Sequence, residues 1–140
     1  MKKTIFSALI ISLLIAACSK NNNDTDNTIG WTGTYSNGLN PHGGINRVVI
    51  SKEDNNDLQV QLQYDTASYI LTIATVRKAP VVSSTTFAVN ENDTIAGIRD
   101  STFNFVASGA LSGNNLILSG SATNISSPAD VKNFYFSGSK

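Results

Sequence analysis

The chain has one cysteine, one histidine and one tryptophan in 140 residues, and only 14% of it is charged. A single cysteine excludes an internal disulfide, so no covalent staple holds the fold. With His42 and Cys18 as the sole residues of their kinds, the usual His/Cys zinc sets cannot be assembled. Any Ser-His-Asp arrangement would have to use His42, and no serine stands in a Gly-x-Ser-x-Gly elbow. The acidic clusters Asp24-Thr25-Asp26 and Asp54-Asn55-Asn56-Asp57 lack the glycine and distant bidentate glutamate of a calcium loop. Asp65, Glu91, Asp93, Asp100 and Asp130 fall mostly in turn sequences, which gives a glycosidase reading no support. No catalytic residue, metal site or cofactor is therefore expected, and the chain does not read as an enzyme. Nor is there a basic patch to hold nucleic acid.

Long apolar runs are also scarce. The one extended stretch, Ile5 to Ala17, is shorter than the roughly 20 residues of a membrane-spanning helix. It follows Lys2 and Lys3 and ends in small residues before Cys18, the layout of a secretory signal peptide. The Ile15-Ala16-Ala17-Cys18 ending resembles the lipobox of bacterial lipoproteins. That resemblance implies cleavage before Cys18, thioether attachment of a diacylglyceryl group to its sulfur, and N-acylation (with palmitate or a similar acid). Two or more acyl chains give stable anchoring where one chain is marginal. The alternative is an uncleaved anchor with Cys18 a bystander.

The expected organisation is a signal peptide over 1–17, then the lipidated cysteine and a polar tether over 18–28. A single folded domain is expected over 29–140. Loss of Lys2 and Lys3 leaves eight basic against ten acidic residues in the mature chain. Ser19 after the cysteine is what lipoproteins sent to the outer membrane carry, and the Asn/Asp-rich tether resembles Bacteroidota-type lipoproteins. The expected location is the outer membrane of a bacterial envelope, on its periplasmic or surface face.

Period-two alternation runs through the domain, and no segment has a convincing helical period. Leu58, Val60, Leu62 and Tyr64 face one way along 58–65, and Gln59, Gln61, Gln63 and Asp65 the other. Further strands are expected over 29–36, 45–52, 69–78, 84–90, 94–99, 103–111, 116–122 and 132–138. Asn- and Asp-rich turns separate most of them, since these residues tolerate left-handed backbone and bond their own chain. The short spacing predicts an all-β, antiparallel up-and-down meander of about eight strands, closed into a barrel or folded as a two-sheet sandwich. A membrane-spanning barrel also alternates, but needs strands of about 9–11 residues with apolar faces turned outward. The strands expected here are mostly shorter.

The opening Gly30-Trp31-Thr32-Gly33-Thr34-Tyr35 and the closing Phe134-Tyr135-Phe136-Ser137-Gly138-Ser139-Lys140 resemble the first and last strands of small bacterial lipocalin-like domains. Lipocalins proper carry Gly-x-Trp on the first strand and a late basic residue packed on the Trp. Here Gly30 adjoins Trp31 directly, and the late basic residues are Lys132 and Lys140. The resemblance implies a barrel with an internal ligand cavity, whose mouth is covered by the 37–44 loop that carries His42.

An eight-stranded barrel is just wide enough to be filled by side chains or to hold one small ligand. Trp31, Tyr35, Tyr64, Phe103, Phe105, Phe134 and Phe136 occupy the apolar phase of their strands and should point inward. The candidate ligand-binding residues are Trp31, Tyr35, His42, Tyr64, Phe103 and Phe105, the first two because the long 37–44 loop follows them. The leading functional reading is a lipid-anchored protein whose barrel takes a small apolar or amphiphilic ligand. The alternative is a solid barrel that serves as an interaction or structural module of the envelope, meeting another protein through its loops or its glutamine-rich face.

Overall fold

The computed structural model describes residues 25–39, 43–66 and 68–140. Residues 1–24, which include Cys18, and His42 lie outside the described residues. Eight strands run in chain order: β1 (Gly33–Ser36), β2 (Ile45–Lys52), β3 (Asp57–Asp65), β4 (Ile70–Ser83), β5 (Thr86–Thr94), β6 (Thr102–Ser112), β7 (Asn115–Asn124) and β8 (Val131–Ser139). Each pairs antiparallel with its neighbours, and β8 returns to β1, so the meander closes into a barrel. Leu58 and Val60, Phe103 and Phe105, and Leu116 and Leu118 are buried as their alternation predicts. The outer faces of β6 to β8 mix Ser108, Ser119, Ser121 and Ser137 with the exposed Val106, Ile117 and Tyr135.

The strand boundaries differ from the sequence pattern in several places; β4 continues through Pro80 to Ser83, and β5 runs on to Thr94. Residues 94–99 do not form a ninth strand beyond Thr94. Instead Ile98 N donates to Ile95 O (3.1 Å) and Gly97 takes φ +86°, which makes a turn between β5 and β6. The first strand begins only at Gly33, because Trp31 N bonds Thr28 O (3.1 Å) and folds 28–31 into a turn. The packed domain also reaches back to Asp26. Its carboxylate caps Thr28 N (2.9 Å) and pairs with Lys52 Nζ (2.5 Å), while Asn27 N donates to Asn55 O (3.0 Å). Those bonds from Lys52 and Thr28 hold the Asp26 carboxyl down to about 2.

The barrel is built from two unequal kinds of seam. Extended ladders join β1 through β4, and another set joins β5 through β8. The two halves meet at β1/β8 through the single pair Ser36↔Ser139, and at β4/β5 through Val81↔Phe87 and Ser83↔Thr86. Both joins lie at one end, the base, with the tight turns 53–56, 84–85 and 113–114. At the other end, the mouth, lie the connections from β1 to β2, β3 to β4, β5 to β6 and β7 to β8, those over 95–101 and 125–130 being longer.

Side chains packed across the base reinforce these short joins. Trp31, from the lead-in to β1, meets Phe87 on β5 edge to face, with centroids 5.1 Å apart. Tyr35 Oη donates to Trp31 O (2.8 Å), and both residues are fully buried. Lys140 Nζ donates to Gly30 O (2.6 Å) and lies 5.2 Å from the centre of the Tyr35 ring. The late basic residue therefore packs on Tyr35 of the first strand. Two glycines make room: a Cβ at Gly138 would lie 2.6 Å from Ser36 O, and one at Gly109 would lie 2.1 Å from the Phe87 ring.

Gly109→Ala is expected to lower stability by about 1–3 kcal/mol, because the ring it displaces is already enclosed. Urea unfolding measures this, and Phe87→Leu in the same chain should recover part of the loss by freeing the space.

Candidate functional site: an apolar cavity at the mouth

The inward face is filled at the base and hollow toward the mouth. A cavity of about 230 Å³ lies there, lined by Leu62, Ala74, Phe105, Ala122 and Phe134, with Ile95 and Ile98 of the β5–β6 connection closing over it. Lys132 is the one charged residue on its wall. A pocket of about 110 Å³ adjoins it between β2 and β8, where Leu62, Ile73 and Phe134 line both. Phe105 and Phe134 stack tilted across the wall, with centroids 6.3 Å apart. An apolar void of about 150 Å³ is enough to hold a benzene-sized molecule without admitting water, so the larger space is ligand-sized.

The cavity exists because the halves part above their joins, and β4 shows why. Its pairing with β3 slips twice, between Leu58↔Ala79 and Val60↔Val76 and between Leu62↔Ala74 and Gln63↔Thr72. Each slip is a bulge, which bends and twists the strand. Pro80, with no N–H to give, adds a further break. The bent strand leaves β5, and acidic side chains bridge the gap in place of a ladder. Glu91 Oε2 accepts from Arg77 N (2.6 Å) and Lys78 N (2.9 Å), the amides of one bulge. Asp93 Oδ2 accepts from Thr75 N (2.7 Å), and Ile73 O accepts from Ala96 N (2.8 Å). A polar groove of about 290 Å³ runs along this seam on the outside. Two turn-type carboxylates thus prove to be wall components, satisfying amides that the bulges leave unpaired.

The residues singled out from sequence divide by depth. Phe105 stands on the cavity wall. Tyr64 is half-buried at the rim, its ring against the backbone of Gly44, where an added Cβ would fall 2.2 Å from the phenol oxygen. Phe103 lies at the same end and is fully buried without lining the void. Trp31 and Tyr35 do not join this group: β1 starts at the base, so they pack there, at the end away from the 37–44 loop. His42 is outside the described residues. Sequence reasoning did not point to Ile73, Ile95, Ile98 or Lys132. Ile73 is set by a bulge, and the two isoleucines by a turn that imitates a strand pattern.

The electrostatics of the mouth are compensated. Arg47 Nη2 pairs with Asp65 Oδ2 at 2.6 Å, with both side chains partly buried. Lys132 Nζ pairs with Asp130, whose carboxyl it holds below the usual range. Among the described residues no cluster of His, Cys, Asp or Glu is arranged to hold a metal ion. Comparison with protein-family models, curated proteins and solved structures finds no match for this chain.

Glu91→Ala is expected to speed hydrogen exchange at the amides of Arg77 and Lys78 and to cost about 1 kcal/mol, the scale of losing bonds at a partly exposed site. Glu91→Gln, which keeps a carbonyl acceptor, should fall between. Exchange unchanged at both amides in Glu91→Ala would remove Glu91 as the bridge.

Proposed function

We propose that this chain is a lipid-anchored envelope protein whose barrel binds one small apolar or amphiphilic molecule at its mouth. The observation that carries the reading is the apolar cavity of about 230 Å³ over a packed base. A barrel meant only as a scaffold has no need of such a void, since unfilled space costs stability. The cavity supports binding of hydrocarbon, and its compensated wall charges support no preference for a strongly charged molecule. No catalytic step is proposed. The alternative, a solid module presenting its glutamine face, has less support. Gln63 Nε2 donates to Gln61 Oε1 (3.1 Å) and Gln61 Nε2 to Gln59 Oε1 (3.3 Å), so the face already satisfies part of its own bonding.

Displacement of a lipophilic dye, with native mass spectrometry of the complex, tests the binding. Ala122→Phe, which fills the cavity from a buried position, is expected to abolish dye binding, while Val106→Ser on the exposed outer wall leaves it intact. Equal dye binding by both variants would overturn the reading.

The anchoring half of the proposal rests on Cys18 and the sequence before it. Metabolic labelling with an alkyne fatty acid is expected to mark the wild-type chain and not Cys18→Ala, and to place the label in the outer-membrane fraction. Label retained by the alanine variant would sink the lipobox assignment.

A further inference from the structure

Two buried side-chain donors among the described residues have no hydrogen-bond partner: Trp31 Nε1 and Arg47 Nε. They sit in different surroundings. Trp31 lies in the packed base against Phe87 and lines none of the cavities described above. Arg47 alternates with buried Val48 and so stands on the outer side of β2, 31% exposed. There, with Gln63 and Tyr135, it forms the outer lip of the pocket of about 110 Å³ that opens between β2 and β8 beside the apolar cavity. A buried donor left without an acceptor costs roughly 1–3 kcal/mol, and more when it belongs to a charged group. An unfilled space beside such a donor is a place for an acceptor.

The charge around Arg47 narrows which acceptor fits. Asp65 already neutralises the guanidinium through Nη2 at 2.6 Å. A second anion would meet the Asp65 carboxylate as a like charge and would have to be desolvated against a compensated pair. A neutral oxygen carries neither cost. Lys132, the cation on the wall of the adjoining cavity, is likewise matched by Asp130.

The strand layout also gives Arg47 a place at the barrel wall. Beyond Ser36 the first strand ends, so β8 from Val131 to Ser137 has no β1 partner. The pocket between β2 and β8 lies there, walled by Val48, Phe134 and Phe136 as well as Arg47.

We propose that Arg47 is the specificity residue for the head of the ligand, and that the ligand is an uncharged single-chain amphiphile. Its chain fills the apolar cavity and its ester, carbonyl or hydroxyl oxygen accepts from Arg47 Nε. This rests on the ligand-binding reading above and adds to it the class of head group.

Calorimetric titration of the purified full chain with methyl decanoate, decanoate and decane tests it at neutral pH. Methyl decanoate should bind more tightly than decanoate. Arg47→Lys keeps a cation for Asp65 but has no Nε. It is expected to weaken methyl decanoate about tenfold while leaving decane unchanged. Because decane reports the state of the cavity in the same variant, a folding defect would appear in both ligands and is separated from loss of the donor. Decanoate binding as tightly as the ester, or unchanged ester binding in an Arg47→Lys chain that binds decane normally, would overturn the head-group assignment and leave the cavity reading standing. No binding of any of the three would overturn the cavity reading itself.

Discussion

Everything in this fold depends on the packing of Trp31 against Phe87. The two rings come from opposite halves of the barrel, whose backbone ladders meet through only one residue pair at β1/β8 and two at β4/β5, with the Ala96–Ile73 bond above them. With ladders this short, side-chain burial at the base does the work that hydrogen bonding does elsewhere in the sheet. Tyr35 braces Trp31 from within the first strand, and Lys140 closes over Tyr35 from the last. Gly109 and Gly138 are the absences that let these contacts form.

The hollow end is the counterpart of the tight end. Strands whose ladders are confined to the base can part above it, and the bulges of β4 drive the parting on one side. On the other side the brevity of β1 has the same effect. The wall is then completed by other means. Glu91 and Asp93 bond the stranded amides of β4, and Ile95 and Ile98 lid the void from a connection rather than from a strand. An edge that would otherwise invite another strand is occupied by carboxylates, which suits a barrel that must stay single while remaining partly unzipped.

Alternation in the sequence was enough to read the class of fold, the antiparallel meander and the direction of most core side chains. Leu58, Val60, Phe103, Phe105, Leu116 and Leu118 all point as their parity requires. Depth along the barrel is a different quantity, and parity carries no information about it. Trp31 and Tyr35 share the inward phase with Phe105 but lie at the opposite end, because the first strand begins at the base. Bulges were equally hidden: a single extra residue at Ile73 changes which side chains reach the cavity without altering composition or pattern. The turn at 95–98 alternates like a strand, and only its backbone bond and the left-handed Gly97 separate the two. Arg47 gave no signal at all, since its interest lies in a missing partner.

The chain enters the barrel beside the 53–56 turn, through Asp26 and Asn27, and it finishes at Lys140 on the same base. Both ends of the described fold are therefore at the floor. Whatever is joined to either end, a lipid-bearing leader or an engineered fusion, takes hold of the cup by its foot. The opening is left as the point farthest from the attachment, free to face outward into whatever compartment the cup stands in.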